Sequence, residues 1–170
     1  MFCMQNVAFI DGQNLYLGAK IEKWSVHHIK FRRYLREKYA VTHAYYFLGF
    51  FSKKYLPLYR HLKAAGFKLC FREHSHNLQS NKKGNVDTDI VFTIMKKLIE
   101  REPFHKVLIV SGDGDYKLLI TFLIKRNCFE KILFPNHKYA SSLYRTLGGE
   151  YFDYLDTPAV RQKIQHTKNT

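Results

Sequence analysis

Three short segments place carboxylates beside glycine and small polar residues: Asp11 in Phe9-Ile10-Asp11-Gly12-Gln13-Asn14, Asp87 in Gly84-Asn85-Val86-Asp87-Thr88-Asp89, and Asp113 with Asp115 in Ser111-Gly112-Asp113-Gly114-Asp115. The chain has 14 acidic residues against 28 basic ones, so acids gathered in one cleft of this cationic protein call for a counter-charge. A hard divalent cation suits them: Mg2+ and Mn2+ take carboxylate oxygens, keep several waters and leave room for a phosphate. Bare carboxylates so close raise one another's pKa, a cost that the cation removes. With Asp11, Asp87, Asp113 and Asp115 as ligands, the chemistry is attack of water on a phosphodiester. No nucleophilic side chain is required.

Each of these residues has a plainer reading beside the chemical one. Asp11 before Gly12 could be a turn former, and Asp87 could cap a helix. Asn14 could orient a water or a phosphate through its amide, or cap a helix starting at Leu15. Ser111 could donate to a phosphate, hold an aspartate in place, or serve as a turn hydroxyl. Asp89, two residues past Asp87, turns to the opposite side of a regular helix, which leaves it a supporting part alongside Asn14 and Ser111. The nine histidines show no ligand spacing; His27-His28 and His74-x-His76 read as solvated loop residues, and no zinc site is expected. Gly112 and Gly114 do not complete Gly-x-Gly-x-x-Gly, so a dinucleotide loop is not indicated.

These carboxylates need elements that bring them together. Apolar or β-branched runs predict strands over residues 7–10, 41–51, 67–71, 107–110 and 131–134, with a further short strand at 151–154. Helical spacing predicts helices over 29–39, 55–65, 86–100, 116–125 and 140–147; Gly66 reads as a C-terminal cap, and Pro103 bounds the third of these. The polar segment 74–85 is the longest loop, and loops of that length are often functional. Strands alternating with helices imply right-handed crossovers: a three-layer α/β sandwich with a mainly parallel sheet of five or six strands. Sites in such sheets lie beyond the carboxyl ends of the strands, where the strand order reverses. Asp11 and Asp113 follow their strands closely and should open there.

At 170 residues the chain fits one domain, expected over 1–156 with a polar basic tail over 157–170. A formal net charge of +14 opposes compaction and points to an anionic partner, nucleic acid first. Lys53, Lys54, Lys82 and Lys83 sit in expected loops, where they could grip phosphates. No apolar run reaches the roughly 18 residues of a membrane span, so no membrane partner is expected. Cys3, Cys70 and Cys128 are odd in number and far apart, which argues against a disulfide framework and fits a reducing cytoplasm. A homodimer is compatible with the sequence but not indicated by it.

Taken in order, Val7-Ala8-Phe9-Ile10-Asp11-Gly12-Gln13-Asn14-Leu15, Lys83-Gly84-Asn85-Val86-Asp87 and Val110-Ser111-Gly112-Asp113-Gly114-Asp115-Tyr116 resemble the NYN domain, a branch of the PIN-like nuclease superfamily that includes the LabA-like proteins. The resemblance implies a PIN-like α/β/α fold and Mg2+- or Mn2+-dependent hydrolysis of single-stranded or structured RNA. Its acidic positions match Asp11, Asp87, Asp113 and Asp115, with Asn14 and Ser111 as supporting polar groups. Many members carry a further carboxylate in the middle helix where this chain has Thr93. Two other classes stay open: a non-catalytic RNA-binding module of the same fold, and a haloacid dehalogenase-like phosphatase. The latter needs a second aspartate two residues after the first, where this chain has Gln13.

Overall fold

In the computed structural model, which describes residues 5–73 and 86–167, six strands pair in parallel: β1 (Asn6–Asp11), β2 (Val41–Phe50), β3 (Lys68–Arg72), β4 (Val107–Val110), β5 (Phe129–Phe134) and β6 (Phe152–Tyr154). The helices are α1 (Gly12–Ile21), α2 (His28–Tyr39), α3 (Leu56–Ala64), α4 (Asp87–Ile99), α5 (Lys117–Lys125) and α6 (Pro158–Ile164). Strand order is β3-β2-β1-β4-β5-β6, so the chain builds outward from β1 on one side, then returns to place β4 on the other. The reversal lies between β1 and β4, where ligands bind in open α/β sheets. The α/β sandwich expected from the sequence is therefore the observed architecture.

Alternation along the central strands divides the core into two layers. Ala8 and Ile10 of β1, with Leu108 and Val110 of β4, pack against Leu15, Phe31, Leu35 and Leu62 of α1, α2 and α3. Val7 and Phe9, with Val107 and Ile109, pack against Ile90 and Ile94 of α4 and Leu119, Ile120 and Leu123 of α5. Both central strands are buried along their length, which explains why they read as unbroken apolar runs rather than alternating ones.

Three expectations need correction. The first helix begins at Gly12, not Leu15, because the Asp11 carboxylate accepts the Asn14 N–H at 2.9 Å and itself caps the helix. A side chain at position 12 would bring its Cβ 2.4 Å from Tyr46 Cε1 and 2.7 Å from the Phe47 carbonyl oxygen, so only glycine lets the helix start this close to β2. The helix expected over 140–147 is a single 3-10 stretch, Ser142–Thr146. It is held by the Ser141 N–H donating to Gly112 O at 3.0 Å and by the Tyr144 hydroxyl donating to Asp113 O, contacts that outweigh the weak nucleation of so short a helix.

The polar tail expected from residue 157 contains α6, which is docked on the core. Ile164 is fully buried among α2 residues, the His27 N–H donates to Ile164 O at 2.8 Å, and Val26 bridges Gln165 antiparallel. The core thus extends past 156. Ile164→Ala should lower the free energy of unfolding by about 2–5 kcal/mol, the cost of an unfilled core site, as read by urea denaturation. A value near zero would mean that α6 contributes nothing to the fold.

Candidate metal centre

Position 11 continues the alternation of Val7 and Phe9, and so turns toward the α4 side of the sheet as β1 ends. There it meets Asp87, the first residue of α4; both are 5% exposed. Asp87 Oδ1 accepts a hydrogen bond of 2.6 Å from the Tyr116 hydroxyl. Asp113 follows β4 by three residues, and its N–H donates to the Oγ of fully buried Ser111 at 3.1 Å. Its own carboxylate accepts the Asp115 N–H at 3.2 Å. Across the strand reversal, Asn14 Oδ1 accepts the Gly112 N–H at 2.8 Å and ties α1 to the loop after β4. Asn14 and Ser111 therefore hold backbone in place at the site.

Carboxylate oxygens of Asp87, Asp113 and Asp115 all lie within 4.8 Å of one another. Asp11 stands outside that set but close to it. Burial pushes its carboxyl up to about 6; the Asn14 N–H opposes the shift, and the charges of Asp87 and Asp113 add to it. The same burial, with Asp11 and Asp87 nearby, pushes the Tyr116 hydroxyl well above its usual range, so it stays a proton donor to Asp87. An all-oxygen donor set, partly buried and mutually repelling, fits a hard divalent cation and not a soft one.

Asp89 is not brought into the set. Its carboxylate faces the Arg72 guanidinium at the end of β3, with 3.8 Å between Nε and Oδ2. Thr93, one turn on, donates its hydroxyl to Asp89 O at 2.7 Å and offers no carboxylate. Lys53 and Lys54 are exposed in the turn after β2, beyond the same carboxyl edge as Asp11. Lys82 and Lys83 lie outside the described residues. The roles of Tyr116 and Tyr144 at this site carry no sequence signal, since only the folded packing turns their hydroxyls toward Asp87 and Asp113.

The histidines also depart from expectation. His27 caps α2, and His28 opens it beside His61, with ring centroids 5.5 Å apart. His27 lies 4.6 Å from His166. Burial, reinforced by the neighbouring imidazoles, brings His28 down to about 4. His28 is therefore half-buried and neutral, not a solvated loop residue. His74 and His76 lie outside the described residues.

A family model described as NYN domain matches residues 6–152. No curated protein matches the chain. Among solved structures, a protein of unknown function, VPA0982 from Vibrio parahaemolyticus RIMD 2210633, superposes with a TM-score of 0.72 and 18% identity over 96% of each chain, a likeness of fold. The T5 D15 protein, co-crystallised with metal ions, superposes at a TM-score of 0.47 and 13% identity, covering 83% of this chain and 59% of its own.

Asp11 and His28 shift in opposite senses, and their effects on stability overlap in pH. Asp11 holds its proton to about 6 when folded against 3.8 ordinarily, so its stabilising share is complete at low pH and lost as pH rises through 6. His28 resists charging until about 4 against 6.5 ordinarily, so stability is lost as pH falls through that window. In EDTA the two should largely cancel. Asp11→Asn, which keeps the helix cap, should unmask a rise in stability from pH 4 to 6.5 of roughly 3 kcal/mol, and His28→Gln a comparable fall. Urea unfolding across that range is the check; parallel profiles for both variants would contradict these shifts.

Proposed function

Since the chain belongs to the NYN domain family, whose model covers residues 6–152, we propose that it is a PIN-like, Mg2+- or Mn2+-dependent ribonuclease of the cytoplasm. The observation that carries this reading is the convergence of Asp87, Asp113 and Asp115, with Asp11 beside them, where the strand order reverses. These four residues would hold the cation. When bound, it supplies charge neutralisation at the phosphate and a water acidic enough to attack phosphorus.

The protein's own groups then position the reactants. Tyr116 fixes the orientation of Asp87 by its short hydrogen bond, and the Asp115 N–H does the same for Asp113. Asn14 keeps the loop after β4 against α1, and Ser111 holds the Asp113 backbone within that loop, so that Asp11 and Asp113 face one space. Lys53 and Lys54, at the same edge, would take flanking phosphates by charge, and binding should weaken steeply with salt. Lys82 and Lys83 join them on the sequence reading alone.

The test is cleavage of labelled RNA by the purified protein with Mg2+, Mn2+ or EDTA. EDTA should abolish cleavage, and Asp11→Asn and Asp113→Asn should each lower it about a hundredfold or more, the scale of losing a group that acts on transition-state charge. Asp89→Asn should cost less than about tenfold, as for a supporting residue. Metal-independent cleavage, or full activity in both of the first variants, would overturn the mechanism. Tight binding of RNA with no cleavage would favour a non-catalytic module, the reading that Thr93 in place of a carboxylate supports.

A further inference from the structure

Beyond the carboxyl ends of β5 and β6, a hollow of about 420 Å3 is lined by His137, Tyr154, Asp156, Thr157 and Pro158. Asp156 is buried, with its side chain 3% exposed, and Oδ2 meets both the His137 backbone N–H at 3.0 Å and the His137 Nδ1 at 2.5 Å. An ionised carboxylate only accepts hydrogen bonds, so Nδ1 carries a hydrogen, and Nε2, directed away from Asp156, is a second donor when the ring is an imidazolium. The imidazole itself is 57% exposed. Its ring stands edge-on to Tyr154, with centroids 6.4 Å apart.

The platform beneath this pair is built, not incidental. Asn136 is 2% exposed and donates to Gly18 O at 3.2 Å, anchoring the turn to α1. A Cβ on Gly18 would lie 2.5 Å from Pro135, so the turn sits hard against the helix. The same segment continues through Tyr139, whose carbonyl abuts Gly112, to Ser141, whose N–H bonds Gly112 O at 3.0 Å. His137 and the acidic centre are thus two ends of one short connection along a single edge of the sheet. With neighbouring strands roughly 5 Å apart, the hollow lies about 5–10 Å along that edge from β4.

An imidazolium N–H facing outward, with an aromatic ring and a proline beside it, suits a phosphate joined to a flat heterocycle. We propose that this hollow is a subsite for a nucleotide flanking the scissile one, with His137, as the imidazolium, donating from Nε2 to its phosphate and the Tyr154 ring lying beside its base. Asp156 is a positioning residue that acts through His137. The proposal rests on the ribonuclease reading and adds where the strand leaves the acidic centre.

The experiment measures binding and cleavage of a short labelled single-stranded RNA by the full chain, its His137→Ala and His137→Arg variants, and photo-cross-linking of the same RNA bearing thiouridine. His137→Ala should weaken binding about tenfold, the worth of one charge-assisted hydrogen bond, and raise KM more than it lowers kcat. His137→Arg, which restores a donor, should recover most of the loss, and the cross-link should map to Tyr154 or His137. A mere fold defect would not be rescued by arginine and would not move the cross-link. Unchanged Kd and KM in His137→Ala, with cross-links elsewhere and the parent still cleaving, would overturn the subsite and leave the nuclease standing. A parent that neither binds nor cleaves RNA would overturn both.

Discussion

Parallel pairing of β1 with β4 sets Ile10 opposite Val110, and in that register Asp11 and Ser111 leave the sheet side by side. The pairing is only possible because the chain crosses back after β3, and that crossing creates the crevice. Two local bonds convert adjacency into a shaped space: Asp11 turns the chain at once into α1, and Asn14 reaches across to the Gly112 N–H. A one-residue slip of β1 would put Asp11 on the α2 face, among apolar residues, and leave Asp87 facing Phe9's neighbour instead.

Burying carboxylates together opposes folding, and the structure limits the cost in particular ways. Asp11 gains two backbone N–H donors at the helix start, from Asn14 and Gln13, while Asp87 gains the Tyr116 hydroxyl. Neither supplies a positive charge. Asp89, by contrast, has Arg72 beside it, and Lys53 and Lys54 stand exposed after β2 at the same edge of the sheet. That separation is what an acidic centre needs if a polyanion is to be drawn to the molecule yet held at the acids only through a cation.

Much of the frame was legible because parallel strands buried on both faces announce themselves as apolar runs, as at Val107–Val110, and because α4 keeps one apolar stripe over three turns. The acids were legible because each sits at such a boundary. What escaped depends on tertiary contact. Asp11 ends a strand and caps a helix in one step, so no separate start signal for α1 precedes Leu15. Ile164 and Val160 are isolated apolar residues in a mostly polar stretch, and only their packing against the α2 layer makes α6 part of the core. His28 and Tyr116 look ordinary in sequence; their altered proton affinities arise from neighbours contributed by distant elements.

The strand order also carries a meaning in time. Asp11 and Asp113 stand more than half the chain apart, and the crossover that joins them must close before the acids can meet. Contacts of such long range form late, after local helices and the β1–β2 unit have had the chance to form. During synthesis, a chain released only as far as β3 would hold one carboxylate of the centre and the docking surface for β4, but no cleft. The acidic centre would thus come into being as one of the last acts of folding, and a partly made chain would lack the space that the four carboxylates share.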